Sequence, residues 1–297
     1  MIEMFQTSIA PFFRILLTGL RLGLVAGTAS PGLFAQEVEA PAVPERIDLT
    51  NFPGELVDQV VVPIPAEIFA VLDKLDEPDW NSGIDLPPER AKGGERSVLA
   101  LTFGSLVAEG FIAVQAKNGE EIETIGRRVL SLSESLGLAA AVRPHSLSII
   151  EAAGKRDWEK VREEFDATQE TVRTTMETLR DDELSGLVSL GGWLRGTNVV
   201  TAFIGSSYSE DKAELLNQPG LISHFREMLS DLRGVSAASP VIRSIGTGLA
   251  RLEAIIVEPG GIAEEDVVQL RDISRSMLEE FYFNKTATAE SVSVPVP

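Results

Sequence analysis

Two nearly uncharged stretches decide the fold of this chain: Ser97–Ala116, SVLALTFGSLVAEGFIAVQA, and Leu184–Ile204, LSGLVSLGGWLRGTNVVTAFI. The first contains one charged residue, Glu109, and the second contains one, Arg195. In each stretch the apolar residues favour membrane insertion by about 0.3–0.6 kcal/mol apiece, which nearly balances the roughly 2.5–3.5 kcal/mol cost of one central charge. The Ser, Thr, Asn, Gln and Gly content then weighs against insertion. We therefore predict two central helices of a soluble bundle rather than membrane spans.

Small side chains recur at helical spacing in both stretches, which predicts close packing of the two helices. They are Ala100, Gly104 and Ala108 in the first stretch and Ser185, Ser189, Gly192 and Gly196 in the second. Because a buried charge needs a partner, we predict that Glu109 and Arg195 are buried and form a structural ion pair, with each other or with another side chain of opposite sign.

A ligand pocket is the alternative interpretation of GGWLRG, residues 191–196. Its glycines would expose backbone, Trp193 would supply a flat wall, and Arg195 would hold a carboxylate or phosphate. The candidate ligand-binding residues are Trp193, Arg195, Asn198 and Glu109.

The rest of the chain from Ile64 also has helical apolar spacing, with proline and glycine where helices begin and end. Gly137 should close one helix in a left-handed conformation, and Pro144 should begin the next. We predict an all-α fold, an irregular bundle of about eight to nine helices in a single domain over residues 64–283, with an extended N-terminal arm. No repeat near 34 or 40 residues is present, which argues against a solenoid.

The N-terminal region resembles an export signal. Arg14 and Arg21 supply positive charge, Leu22–Ala29 is apolar, and Leu33–Ala35 ends in a small residue. We predict a secretory signal peptide over residues 1–35, cleaved before Gln36, an exported protein in the periplasm or extracellular space, and no stable membrane insertion after cleavage. Residues 36–63 form a predicted acidic, proline-rich arm in which Val60–Val62 can pair as an edge strand, and residues 284–297 form a predicted disordered tail.

Composition excludes several classes of function. The chain has 26 Lys plus Arg against 45 Asp plus Glu, a formal net charge of −19, so nucleic-acid binding is not expected. It has no cysteine, which removes disulfides, thiolate nucleophiles, iron–sulfur clusters and cysteine-bound zinc.

Recognisable catalytic patterns are missing from the sequence. His145 and His224 lie far apart, without a second histidine or glutamate at metal-binding spacing, and each is expected to have an ordinary surface or helix-end role. We find no nucleophile-elbow, Walker A or dinucleotide-binding string, so no cofactor is predicted and an enzyme is not favoured. A weak calcium candidate is the loop that carries Asp76, Asp79, Asn81 and Asp85, although it does not follow the EF-hand pattern.

The sequence thus predicts an exported, soluble helical interaction or scaffold protein with a protein partner. The alternative is a periplasmic small-molecule binder or hydrolase with a pocket near the GGWLRG helix.

Overall fold

The structure is a computed structural model that describes residues 55–57, 60–62, 72–75, 77–88, 94–179 and 181–283. All of them fall within one compact unit, residues 45–297. The predicted signal peptide 1–35, most of the arm 36–63 and the predicted tail 284–297 lie outside the described residues.

The fold is all-α, an irregular bundle as the sequence predicts. The described residues form ten α-helices: α1 Arg96–Gln115, α2 Gly119–Leu136, α3 Ala139–Gly154, α4 Trp158–Leu179, α5 Asp182–Ser206, α6 Glu210–Ala213, α7 Pro219–Asp231, α8 Gly234–Ala238, α9 Pro240–Ile256 and α10 Glu264–Phe281. Single 3-10 turns occur at Asp73–Leu75, Trp80–Gly83 and Glu214–Leu216.

A small hairpin precedes the bundle. Strand β1, Glu55–Val57, pairs antiparallel with β2, Val60–Val62, so that Glu55 lies opposite Val62. The predicted edge strand at Val60–Val62 is therefore confirmed, and it lies against α7.

Helix boundaries follow local chemistry. Asn118 caps α2, because its side chain accepts a hydrogen bond from the backbone N–H of Glu121. Gly137 ends α2 at φ 78°, the left-handed conformation that the sequence predicts.

One predicted helix start is wrong. Pro144 lies inside α3, which already begins at Ala139. Leu138 is fully buried directly after the Gly137 turn, so the chain can resume a helix at once. Proline within the second turn costs one backbone hydrogen bond, that to the carbonyl of Ala140, and the helix continues.

Helices α1 and α5 form the centre of the bundle. Layers of α2, α3 and α4 extend from one side, and α10, α9 and α7 extend from the other. Of the described residues, α1 alone is long and apolar enough to cross a membrane, with a mean hydropathy of 1.8, but 83% of that window is buried inside the protein. It is the core helix that the sequence predicts.

The backbones of α1 and α5 approach each other at two glycines. An ideal Cβ on Gly104 would lie 1.9 Å from the carbonyl oxygen of Val188, and one on Gly191 would lie 2.0 Å from the carbonyl oxygen of Leu101. The hydroxyl of Ser105 donates a hydrogen bond to the carbonyl of Gly191 at 2.8 Å and stabilises the same helix contact.

The predicted pairing of the two helices is thus correct, but the predicted stripe on α5 is only partly involved. Gly192 does lie near α1, since its Cβ would be 3.3 Å from the carbonyl oxygen of Gly104. At Gly196, by contrast, a Cβ would meet nothing within 4 Å. This end of the stripe faces open space rather than another backbone.

Candidate functional site

The two lone charges of the central helices are in direct contact. Arg195 Nε donates to Glu109 Oε1 at 2.5 Å, and the two side chains are 2% and 0% exposed. The close approach of α1 and α5 brings these residues together from positions 86 apart in the sequence.

The rest of the Arg195 guanidinium is also bound by the protein. Nη2 donates to the carbonyl of Gly83 at 2.5 Å, and Nη1 lies 3.5 Å from Asn198 Oδ1. The Asn198 amide in turn lies 3.3 Å from both the carbonyl of Arg271 and the hydroxyl of Ser274 on α10. The network therefore links α1, α5 and α10 to the turn at Gly83.

Glu109 is satisfied on both oxygens. The Tyr282 hydroxyl donates to Oε1 at 3.3 Å, and the backbone N–H of Asp85 donates to Oε2 at 3.4 Å. Burial raises the pKa of Glu109 above its ordinary value, and the Arg195 guanidinium opposes the rise. Burial, together with the Glu109 carboxylate, raises the pKa of Tyr282 well above its ordinary value, so the phenol keeps the proton that it donates.

This geometry gives Arg195 a structural role. All three of its nitrogens face protein acceptors, and almost none of its surface reaches solvent. An arginine that anchors a ligand must present at least one edge of its fork to a cavity. Arg195 does not do so, and Glu109 and Asn198 belong to the same buried network.

Trp193 faces away from that network. Its indole Nε1 donates to Gln218 Oε1 at 2.9 Å, and its ring lies 5.5 Å from the ring of Phe225 on α7. The four residues predicted to line one pocket therefore do not lie together. Trp193 lies on a different face of α5 from Arg195 and Asn198, which are in the network with Glu109 of α1.

A large apolar groove lies on the Trp193 face of α5. It has a volume of about 1300 Å³, and its lining comes from α1, α2 and α3 as well as from α4, α5 and α7. We call it the α4–α7 groove. Its α5 surface consists of Asp182, Glu183, Ser185, Gly186, Val188, Ser189, Gly192, Trp193, Gly196, Thr197, Val199 and Val200. Its walls include Phe165, Thr168, Val172 and Met176 of α4 and Leu221, His224, Phe225 and Met228 of α7.

The groove accounts for part of the row of small residues on α5, at the end that does not pack on α1. Ser189, Gly192 and Gly196 lie along its floor and are only half-buried. At Gly196 the absence of a side chain leaves volume for an occupant, whereas a leucine would fill it. The sequence identified this row but assigned it to helix packing, because spacing alone does not show what a helix face meets.

The ends of the groove differ in charge. Contacts between Gly186 and Met228, and between Trp193 and Phe225, show that α5 and α7 run antiparallel, so the start of α5 lies beside the end of α7. Among the described residues, this end is lined by the guanidinium of Arg233 and by four carboxylates, those of Asp182, Glu183, Glu227 and Asp231. Beside them Arg96 pairs with Asp181 at 2.5 Å. Arg233 directs its guanidinium at the backbone carbonyls of Ser230 and Leu232 rather than at these acids.

A polar cluster that sequence reasoning missed joins α3 to α4. His145 Nδ1 lies 3.1 Å from Glu164 Oε2, and His145 Nε2 lies 2.9 Å from Thr171 Oγ1. The surface or helix-end role expected for His145 is wrong, because His145 lies within α3, is only 19% exposed and contacts α4. The seven-residue spacing of Glu164 and Thr171, two helical turns, is the signal that places them on one face.

This acid, imidazole and hydroxyl arrangement does not favour nucleophilic catalysis. The Thr171 hydroxyl donates its proton to the carbonyl of Ala167 at 2.9 Å, so its oxygen accepts from His145. An activated nucleophile requires the opposite direction, with the hydroxyl proton passing to the imidazole. We interpret the cluster as a cross-brace between α3 and α4.

The weak calcium candidate does not assemble in the described loop. Asp85 pairs with Arg275 at 2.7 Å, Asn81 accepts from Asn118 at 2.9 Å, and Asp76 lies outside the described residues. The part of the chain that the structure describes holds no group of three His, Cys, Asp or Glu able to bind a metal ion. Trp80 is buried beside this loop, with its ring 4.9 Å from the ring of Phe203.

Comparison with known proteins adds no relative. No protein family, curated protein or solved structure matches this chain.

Proposed function

We propose that this protein is a helical interaction protein that binds an apolar helical segment of a partner protein in the α4–α7 groove. The observation that carries the proposal is the groove itself, open and apolar, with small residues on its floor and a volume of about 1300 Å³. Pockets for drug-sized molecules are roughly 300–1,000 Å³, so the volume suits a longer occupant.

The length of α5 that lines the groove supports a helix as that occupant. Its α5 surface runs from Asp182 to Val200, about 27 Å at a rise of roughly 1.5 Å per residue. An amphipathic helix of about 18 residues matches this length and binds such a surface through apolar side chains at helical spacing.

Gly196 offers a direct test of this proposal. A leucine there would project into the groove, since a Cβ meets nothing within 4 Å. Replacing glycine in a helix interior also favours the helix by up to about 1 kcal/mol, so Gly196→Leu should fold at least as well as the wild type. Gly154→Leu is the matched control, because Gly154 has the same open surroundings but does not line the groove.

The probe is a fluorescent amphipathic helical peptide of about 18 residues with leucines on one face and glutamines on the other. We expect wild type and Gly154→Leu to bind it, measured by the anisotropy of the labelled peptide, and Gly196→Leu to lose binding at unchanged thermal stability. No binding to the wild type, or equal binding by all three proteins, would overturn the proposal.

A small apolar ligand is the second candidate, and Trp193 is the observation that favours it. Its ring is held by Gln218 and Phe225 and forms a rigid wall beside Gly192 and Gly196. Thermal stabilisation by a compound from a metabolite library, abolished in Gly196→Leu, would support this function over peptide binding.

We also propose that the protein acts after export, in the periplasm or extracellular space. The order of positive charge, apolar run and small-residue exit in residues 1–35 supports this localisation.

A further inference from the structure

We infer that the α4–α7 groove selects a partner helix whose apolar face is followed by basic side chains at one end. This inference rests on the proposed function and adds the chemistry of the partner. The juxtaposition that carries it is an apolar groove that ends among carboxylates, where α5 begins and α7 ends.

Fixed charge at this end of the groove is negative. Asp182, Glu227 and Asp231 are exposed, so their carboxylates can meet an incoming cation in water. Glu183 is half-buried and accepts a hydrogen bond from Ser236 on α8, which holds it in place.

Helix dipoles add to this field. Helices α4 and α7 both terminate here, at Leu179 and Asp231. The C-terminal end of a helix carries partial negative charge from its unpaired carbonyls and favours nearby cations. The positive end of α5 lies here as well, but Asp182 and Glu183 occupy its first turn, and Asp181, which pairs with Arg96, caps it.

Two exposed apolar residues lie near the acidic end of the groove. Leu179 is 52% exposed and Val235 is 77% exposed. Both lie close to Glu183, Leu179 along the chain and Val235 through the contact of its neighbour Ser236. A partner helix can cover them while its basic residues reach the carboxylates between them.

The net charge of the whole protein also favours a basic partner. At a net charge of −19 it repels anionic lipid surfaces and attracts cationic segments, so a basic protein helix fits better than an anionic membrane.

Three synthetic peptides test the inference on the full mature chain. All share one leucine face over about 18 residues. At one end of the helix, the polar positions carry lysine in the first peptide, glutamine in the second and glutamate in the third. We expect the lysine peptide to bind about tenfold more tightly than the glutamine peptide, as three exposed ion pairs of roughly 0.5 kcal/mol each would give. The glutamate peptide should bind more weakly than either.

The variant Asp182→Asn/Glu227→Gln/Asp231→Asn removes the exposed charge and leaves the groove unchanged. It should lose most of the preference for the lysine peptide over the glutamine peptide, and Glu183 and the helix ends account for the preference that remains. Added salt should reduce the preference of the wild type in the same way, because exposed pairs are screened. Equal affinities for all three peptides on the wild type would overturn the inference while leaving the proposed function intact. Absence of any binding would overturn both, and binding to anionic vesicles in preference to the lysine peptide would overturn the choice of partner.

Discussion

The carbonyl oxygen of Val188 occupies the position that a side chain on Gly104 would need, 1.9 Å from an ideal Cβ. The same relationship holds in reverse between Gly191 and the carbonyl of Leu101, at 2.0 Å. Because the obstructing atoms are backbone on both sides, neither contact can relax by rotating a side chain. The close packing of α1 on α5 therefore requires glycine at both positions, because even the methyl group of alanine would clash with backbone.

Alanine at these glycines tests that dependence. We expect Gly104→Ala and Gly191→Ala to lower the free energy of unfolding by about 3 kcal/mol or more, since the two helices must separate. Gly196→Ala, on the same helix as Gly191 but facing open space, should raise the free energy of unfolding by about 0.5–1 kcal/mol. Urea unfolding followed by circular dichroism measures all three. Similar stability of Gly191→Ala and Gly196→Ala would show that the helices do not pack this closely.

Removing one member of the buried ion pair should be costly. Arg195→Met leaves Glu109 buried without its cation and the Gly83 carbonyl without its donor, so we expect a loss of roughly 3–5 kcal/mol of unfolding free energy. The double variant Glu109→Leu/Arg195→Met removes both charges and should cost distinctly less, roughly 2 kcal/mol. Equilibrium unfolding of both proteins decides the outcome, and a double variant less stable than Arg195→Met would contradict a structural pair.

The cross-brace predicts an acid-sensitive contribution to stability. Burial alone would raise the pKa of Glu164, but hydrogen bonds from His145, Ser148 and Lys160 outweigh it and hold the pKa below its ordinary value. A carboxyl whose pKa is lower in the folded state stabilises the protein above its unfolded pKa of 4.5, and this contribution disappears as the pH falls through the folded pKa.

We therefore expect Glu164→Gln to be less stable than the wild type at pH 7 and to approach it below pH 4.5. Unfolding midpoints in urea at a series of pH values measure the difference. Glu163→Gln is the matched control, because the neighbouring Glu163 is exposed and contacts Lys160 but not His145. A gap between wild type and Glu164→Gln that stays constant with pH would exclude this linkage.

Export predicts a defined N-terminus. The protein recovered from the periplasm or medium should begin near Gln36 and remain soluble without detergent. Terminal sequencing and fractionation measure both properties. A chain that keeps residues 1–35 and stays with membranes would favour an anchor in place of a cleaved signal.

Much of this fold could be predicted from sequence, because the helices end at residues with local reasons to end them. Gly137 and Asn118 are examples, and the resulting boundaries of α2 need no knowledge of the rest of the chain. The buried contact of Glu109 with Arg195 could also be predicted from sequence, since an isolated charge in an apolar helix is too costly to leave unpaired. Pro144 was misassigned because proline tolerates both a first turn and an early interior position.

The groove could not be predicted in the same way. Trp193 and Arg195 are two residues apart, and that spacing alone does not show that one side chain faces a cavity and the other the core. The row from Ser185 to Gly196 satisfies the requirements of close packing and of a groove floor equally well. Only the positions of α4 and α7, set by contacts distant in sequence, distinguish the two.

The pairing of α1 with α5 also limits how early the core of the protein can fold during synthesis. Three helices are synthesised between them, so the most apolar helix of the described chain is made well before its main partner. At roughly 5–20 residues per second the ribosome needs on the order of 10 s to reach the end of α5. Throughout that interval α1 can contact α2 but not the backbone that will cover Gly104. A nascent chain interrupted before α5 therefore carries its most aggregation-prone surface uncovered, however stable the finished protein is.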